Sequence, residues 1–163
     1  MIHKPFERNG AVRGASATIP STAALVLVVD DFEDNRAMYV EYLQFHGFRV
    51  AEAVNGLDAY ERATELHPDV VVMDLSLPVV DGWEATRRIK ADPRTKGVRV
   101  IALTGHAEPS HARRAFAAGC DDFVPKPCLP EVLLAKVRAH IDAPSRPSVR
   151  KASGSRPKQK AKP

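Results

Sequence analysis

The chain has 163 residues, of which 44% are hydrophobic and 27% charged, and a formal net charge of +4. This length supports one hydrophobic core and disfavours a second domain. Its two cysteines, Cys120 and Cys128, stand in no CxxC or CxxH arrangement, so the sequence indicates neither a disulfide framework nor a zinc site. No apolar run approaches the ~20 residues of a membrane span, and residues 1–20 lack the apolar core of a signal peptide. We therefore expect a soluble, cytoplasmic protein without membrane insertion.

The charged residues divide the chain into three parts. Residues 145–163 hold seven basic residues and no acid, and residues 1–24 hold three basic residues and one acid. The stretch between them is therefore acidic, with 14 basic against 19 acidic residues, although the whole chain is basic. Both ends lack hydrophobic periodicity, which is typical of disordered segments. The predicted parts are a flexible leader over 1–23, one folded domain over 24–143 and a disordered basic tail over 144–163.

Strand and helix patterns alternate along the folded part. Unbroken apolar runs at 25–29 and 70–73 are typical of central strands that are covered on both faces. The first helix has Met38, Tyr42 and Leu43 at a spacing that predicts one buried face. In chain order the predicted elements are strand 25–29, helix 34–46, strand 48–53, helix around 57–63, strand 70–73, helix 82–91, strand 98–103, helix 110–118, strand 122–124 and helix 130–141.

This alternation predicts the fold class. Crossovers between consecutive strands of this kind are right-handed in nearly all proteins, and the strands they join run parallel. The sequence therefore predicts an α/β fold, a doubly wound five-stranded parallel sheet with five helices. The simplest strand order is the flavodoxin-like 2-1-3-4-5, in which the first and third strands are neighbours.

Two neighbouring strands of this predicted sheet end in acids. Asp30 and Asp31 follow the first strand, and Asp74 follows the third. Carboxylates that converge at one edge repel each other unless a cation is present, and Mg²⁺ prefers oxygen ligands of this kind. We therefore predict a site for Mg²⁺ or Mn²⁺ at this edge. The alternative is that the acids only cap the helices that follow them.

Two further side chains are predicted to reach the same edge. Thr104 ends the fourth strand, and Lys126 follows the fifth. A hydroxyl and an ammonium group beside a metal-bound carboxylate provide the charges that phosphoryl transfer requires. Asp74 is then a candidate nucleophile that forms an acyl phosphate.

Taken together, Asp30-Asp31, Asp74, Thr104 and Lys126-Pro127 resemble the CheY-like receiver domain of response regulators in two-component signalling. The resemblance covers roughly residues 24–143. It implies that Asp74 accepts phosphate from a histidine kinase or a histidine phosphotransfer protein. It also implies a metal site in which Asp31 binds Mg²⁺ directly, Asp30 binds through water, and the main-chain carbonyl of Ser76 adds a ligand beside Asp74.

The resemblance also implies how the protein switches. Lys126 is expected to pair with the phosphoryl oxygens and to precede a cis proline bond. Thr104 is expected to move toward the phosphoryl group while Phe123 turns inward. An unknown downstream protein would then read the face made by the fourth helix, fifth strand and fifth helix. We expect the choice of phosphodonor to depend on the first helix near Arg36, Ala37 and Val40.

Three functions from different classes remain open. The first is a stand-alone receiver that acts as a signalling switch and not as an enzyme with an external substrate. The second is a hydrolase resembling the haloacid-dehalogenase phosphatases, which the sequence disfavours because those place a second Asp where this chain has Ser76. The third is sequence-independent nucleic-acid binding by the basic tail, which has no aromatic residue to stack on bases. A disordered solubilising tail is the favoured interpretation of that segment.

Overall fold

The computed structural model describes residues 18–144, so most of the predicted leader and nearly all of the predicted tail lie outside the described residues. Within this range, no helix has the length and apolar character that crossing a membrane requires. The elements follow each other in the order β1 Leu25–Val29, α1 Glu33–Phe45, β2 Arg49–Ala53, α2 Gly56–Leu66, β3 Val70–Asp74, α3 Gly82–Ala91, β4 Arg99–Thr104, α4 Pro109–Ala118, β5 Asp122–Pro125 and α5 Pro130–Asp142.

The five strands form one parallel sheet in the order β2-β1-β3-β4-β5, as the sequence predicts. In register, Val29 pairs with Met73, and Asp74 pairs with Leu103. The carboxyl ends of β1, β3 and β4 therefore meet at one edge. This edge contains the point where the chain direction across the sheet reverses, where α/β proteins of this type bind ligands.

The sheet is covered on both faces, because β1, β3 and β4 alternate their apolar side chains between two core clusters. Leu27, Val71 and Met73 point into the cluster that α2 and α3 cover, together with Ala63 and Ile89. The opposite cluster is covered by α1 and α5 and includes Leu43 and Leu133. The continuous burial of β1 and β3 explains why their sequences show unbroken apolar runs.

The prediction of which residues form the buried face of α1 is partly wrong. Leu43 is buried and Tyr42 is partly buried, but Met38 is 40% exposed. Tyr39 and Val40 are the residues that pack with Leu43 against the sheet. Apolar residues occupy neighbouring positions from Ala37 to Leu43, so their spacing alone allowed more than one buried face.

The loop between β3 and α3 packs tightly against the end of β3. Asp81 caps α3 by accepting a hydrogen bond from the Glu84 amide at 2.8 Å. The amide of Gly82 donates to the Leu75 carbonyl at 3.2 Å, and a Cβ on Gly82 would overlap the main-chain oxygen of Asp74. Only glycine allows the helix to begin this close to the strand, and the loop after Asp74 is fixed in consequence.

Candidate functional site

Three carboxylates meet at the carboxyl edge of the sheet, as the sequence predicts. Asp30, Asp31 and Asp74 each have an oxygen within 4.8 Å of the others. Asp30 and Asp74 are 1% and 4% exposed, whereas Asp31 is exposed to solvent. The adjacent positions of β1 and β3 bring the acids together, and this explains why residues 43 positions apart share one site.

Main-chain amides fix the orientation of the two buried carboxylates. Oδ1 of Asp30 accepts a hydrogen bond from the Phe32 amide at 2.8 Å. Oδ1 of Asp74 accepts one from the Ser76 amide at 2.9 Å. The second oxygen of each carboxylate, Oδ2, points to a common cation.

That cation is Lys126, which the sequence predicts to reach the same edge of the sheet as Asp74. Its Nζ donates to Oδ2 of Asp74 at 2.9 Å and to Oδ2 of Asp30 at 3.1 Å. Its main-chain amide donates to the Thr104 carbonyl at 2.6 Å, which ties the end of β5 to the end of β4. The Lys126–Pro127 bond is cis, as the sequence resemblance implies.

The charges around Lys126 determine its protonation. Burial alone lowers the pKa of this amine, but the hydrogen bonds and charge attraction from Asp74 and Asp30 exceed that effect, so the pKa is raised. Lys126 therefore stays charged at neutral pH. It partly compensates the repulsion between the two buried acids in the metal-free protein.

The two predicted switch residues lie on the neighbouring strands β4 and β5. Thr104 is 1% exposed, and its Oγ1 accepts a hydrogen bond from the His106 amide at 3.1 Å within its own loop. Phe123, on β5, is partly buried and packs against the core cluster under α2 and α3. Thr104 ends β4, and Phe123 lies on the neighbouring strand β5, where it pairs with Ala102.

The donor set fits a hard divalent cation. Two buried carboxylates and one exposed carboxylate offer oxygen atoms within 4.8 Å of each other, and the exposed side of the cluster leaves room for water ligands. Mg²⁺ is commonly held by one or two carboxylates while it keeps several waters, and Mn²⁺ accepts similar ligands. Asp30, Asp31 and Asp74 are the residues that would hold the ion.

Sequence reasoning missed the contribution of Arg36 to this site. Its side chain, placed by prediction on a partner-binding surface, is only 14% exposed and reaches the main chain of Asp30. Val40, assigned to the same surface, is buried, whereas Ala37 is exposed. The signal was present in the sequence: side chains of an α-helix point toward its N-terminus, so a long residue in the first turn can reach the preceding strand end.

The fold and the site define a class of proteins: doubly wound α/β domains with an acidic cleft at the switch point of the sheet. The comparisons with known proteins then give the family. The pattern of the response regulator receiver domain matches residues 26–138. The chain belongs to this family of two-component signalling.

Two relatives and one solved structure illustrate the similarity. The polar-differentiation response regulator DivK of Brucella ovis is 33% identical over 102 residues, which cover 63% of this chain and 83% of the relative. The DNA-binding dual master transcriptional regulator RpaA of Synechocystis is 34% identical over 114 residues, which cover 70% of this chain and 47% of the relative, so the chain spans about half of its length. The receiver domain of the sensor histidine kinase PA1611 from Pseudomonas aeruginosa, solved with a magnesium ion in its active site cleft, is 30% identical at a TM-score of 0.69 and covers 74% of this chain and 99% of its own.

Proposed function

We propose that this protein is a phosphoacceptor of a two-component pathway or phosphorelay in which Asp74 receives the phosphoryl group. The donor is a phosphohistidine of a histidine kinase or a histidine phosphotransfer protein. A carboxylate oxygen of Asp74 attacks phosphorus, the phosphorus–nitrogen bond of the donor breaks, and the imidazole leaves in its neutral form, with a proton taken from solvent. The product is an acyl phosphate on Asp74.

The residues around Asp74 have separate roles in this step. Lys126 provides a positive charge for the phosphoryl oxygens, and Thr104 provides a hydroxyl donor. Asp30, Asp31 and the main-chain carbonyl of Ser76 hold the ion beside Asp74. A divalent cation bound there would neutralise charge that develops on the transferred group. The solved receiver of PA1611 with its coordinated magnesium supports this part of the proposal.

The output of the protein is a change in the conformation of one surface. Phosphorylation shifts an existing equilibrium between two conformations, in which Thr104 and Phe123 adopt different positions. The face of α4, β5 and α5 changes with them and is read by a downstream protein in the cytoplasm. The protein is a signalling switch that catalyses only its own phosphorylation and dephosphorylation. Its family membership and its Ser76 both disfavour the hydrolase alternative.

One observation carries this proposal: the contact of Lys126 with both buried carboxylates, next to a third acid. A phosphoryl analogue tests it. Beryllofluoride or acetyl phosphate with Mg²⁺ is expected to shift the NMR signals of Thr104 and Phe123, and Asp74→Asn is expected to abolish the shift. An unchanged response in the Asp74→Asn variant would exclude Asp74 as the phosphoacceptor.

A second candidate function concerns the basic tail over 145–163. Its seven basic residues would attract nucleic acid through phosphate charges alone, without reading the sequence. The tail lies outside the described residues. We keep this function as the alternative, and a solubilising tail as the favoured interpretation.

A further inference from the structure

Arg36 connects three elements beside the carboxylate cluster. It lies in the first turns of α1, and its Nη1 donates to the main-chain carbonyl of Asp30 at 2.9 Å. Its Nε donates to Oε2 of Glu52, on β2, at 2.7 Å. The side chain is 14% exposed, so most of it is covered by these neighbours. A residue held in this way is poorly placed to be read by a partner.

The same turn is fixed at two other points. The amide of Asp30 donates to the Ala53 carbonyl at 3.2 Å, and its carboxylate accepts from the Phe32 amide. Arg36 donates to the main-chain carbonyl of Asp30, which directly precedes Asp31. Because Asp31 is exposed, its position depends on the main chain that carries it. Loss of the Arg36 contact would therefore free the peptide unit between Asp30 and Asp31.

We infer that Arg36 is a positioning residue of the cation site: it holds the Asp30–Asp31 turn in the geometry that binds a divalent ion, and Glu52 holds Arg36. This inference rests on the proposed metal-dependent function. It also assigns Glu52, on the edge strand β2, a role in a site whose ligands lie on β1 and β3. Mutation of residues that orient metal ligands without touching the ion typically weakens binding of the ion by about 10- to 100-fold.

A purely electrostatic role for Arg36 predicts the opposite result. Its guanidinium contacts the main-chain carbonyl of Asp30, so removing its positive charge would make the site more negative and would tighten cation binding. A positioning role predicts weaker binding when the two-point contact is lost, even when the charge is kept. The variants Arg36→Met and Arg36→Lys separate the two roles, because only the second preserves the charge.

The first experiment is titration of each full-length variant with Mg²⁺ by calorimetry. We expect Arg36→Met to weaken Mg²⁺ binding about tenfold and Arg36→Lys to weaken it by a smaller factor. Arg87→Met is the matched control, because it removes the same charge from an exposed ion pair with Glu84 on α3. Unchanged affinity in Arg36→Lys, or tighter binding in Arg36→Met, would overturn the inference.

The second experiment needs no metal. Amide hydrogen exchange in the metal-free protein is expected to be faster at Asp30 in Arg36→Met and, less so, in Glu52→Gln, and unchanged in Arg87→Met. Equal exchange in all variants would contradict the inference even if the proteins were stable. Absence of Mg²⁺ binding by the unaltered protein would instead contradict the proposed function, while the exchange rates would still decide the role of Arg36.

Discussion

Lys126 offsets the electrostatic cost of burying two carboxylates in one cluster. Asp30 and Asp74 are almost fully buried, and an uncompensated buried charge is strongly destabilising. The ammonium group lies about equally close to both, at 3.1 and 2.9 Å, and the raised pKa keeps it charged. Lys126 therefore serves the metal-free protein as a counter-ion and, in our proposal, the phosphorylated protein as a phosphoryl partner.

The first prediction separates these roles. Lys126→Ala removes the phosphoryl partner but none of the carboxylate ligands, so we expect the variant to bind Mg²⁺ and to lose the conformational response to beryllofluoride. Mg²⁺ binding is measured by calorimetry and the response by NMR at Thr104 and Phe123. Lys96→Ala, at an exposed position in the loop before β4, is the control with the same change of charge. Loss of Mg²⁺ binding in Lys126→Ala would contradict this division of roles.

At the scale of elements, the site depends on close packing between the end of each strand that carries a ligand and the start of the next helix. The second prediction concerns Gly82, the first residue of α3. A methyl group there would meet main-chain atoms of Asp74 and Leu75, which cannot move without shifting the loop. We expect Gly82→Ala to lower the free energy of unfolding by about 1–3 kcal/mol, measured by urea denaturation.

Gly97 provides the control for this prediction. A Cβ at Gly97 has no atom within 4 Å, and the residue has no positive φ. Gly97→Ala is therefore expected to leave the free energy of unfolding within about 1 kcal/mol of the unaltered protein or to raise it. Equal effects of the two substitutions would show that the packing of α3 against the end of β3 is looser than the structure indicates.

The third prediction concerns the contact between β5 and α5. Asp122 accepts hydrogen bonds from Lys136 at 3.1 Å and from the Phe123 amide at 2.8 Å, and its Oδ2 lies 3.1 Å from His140. Burial raises the pKa of Asp122, but these hydrogen bonds outweigh burial and the pKa is lowered. A carboxyl group with a lowered pKa in the folded state stabilises the fold above its unfolded pKa, about 3.9, and loses this contribution as the pH falls through the folded value.

Asp122→Asn is therefore expected to cost stability at pH 6 and to cost less at pH 3. The pH-dependent part is about 1 kcal/mol or less, as for other partly exposed ion pairs. Thermal or urea unfolding at the two pH values measures it. Asp142→Asn, at an exposed position on α5, is the control. A cost that did not change with pH would indicate that the charge of Asp122 contributes nothing.

For the whole molecule, the sequence was sufficient for the architecture and for most of the site. Runs such as Val70–Asp74 are short and rich in β-branched residues, which favours a central parallel strand, so strand order and the meeting of Asp30 with Asp74 followed from topology. The face of α1 could not be derived in the same way, because Met38 and Val40 are both apolar and only packing decides between them. The position of Arg36 in the first turn of α1 puts it within reach of the preceding strand end, but its partner could not be derived, because a hydrogen bond to a main-chain carbonyl leaves no pattern of residue types.

The fourth prediction concerns the relation of the basic tail to the folded domain. The site lies at the carboxyl edge of the sheet and α5 ends at Asp142, so we expect deletion of residues 145–163 to leave phosphorylation by acetyl phosphate unchanged. Binding to DNA, if the alternative function holds, is expected to fall steeply with salt and to disappear in the truncated protein. A phosphorylation rate that changed several-fold on truncation would contradict the independence of the two parts.

The identity of the phosphorylated residue tests the central claim most directly. The protein is incubated with a phosphohistidine donor and Mg²⁺, and the acyl phosphate is located by mass spectrometry of reduced or proteolysed samples. We predict one phosphoryl group, on Asp74, that is absent when Mg²⁺ is chelated and absent in Asp74→Asn. A phosphoryl group on another residue, or incorporation at the same rate in Asp74→Asn, would contradict the account.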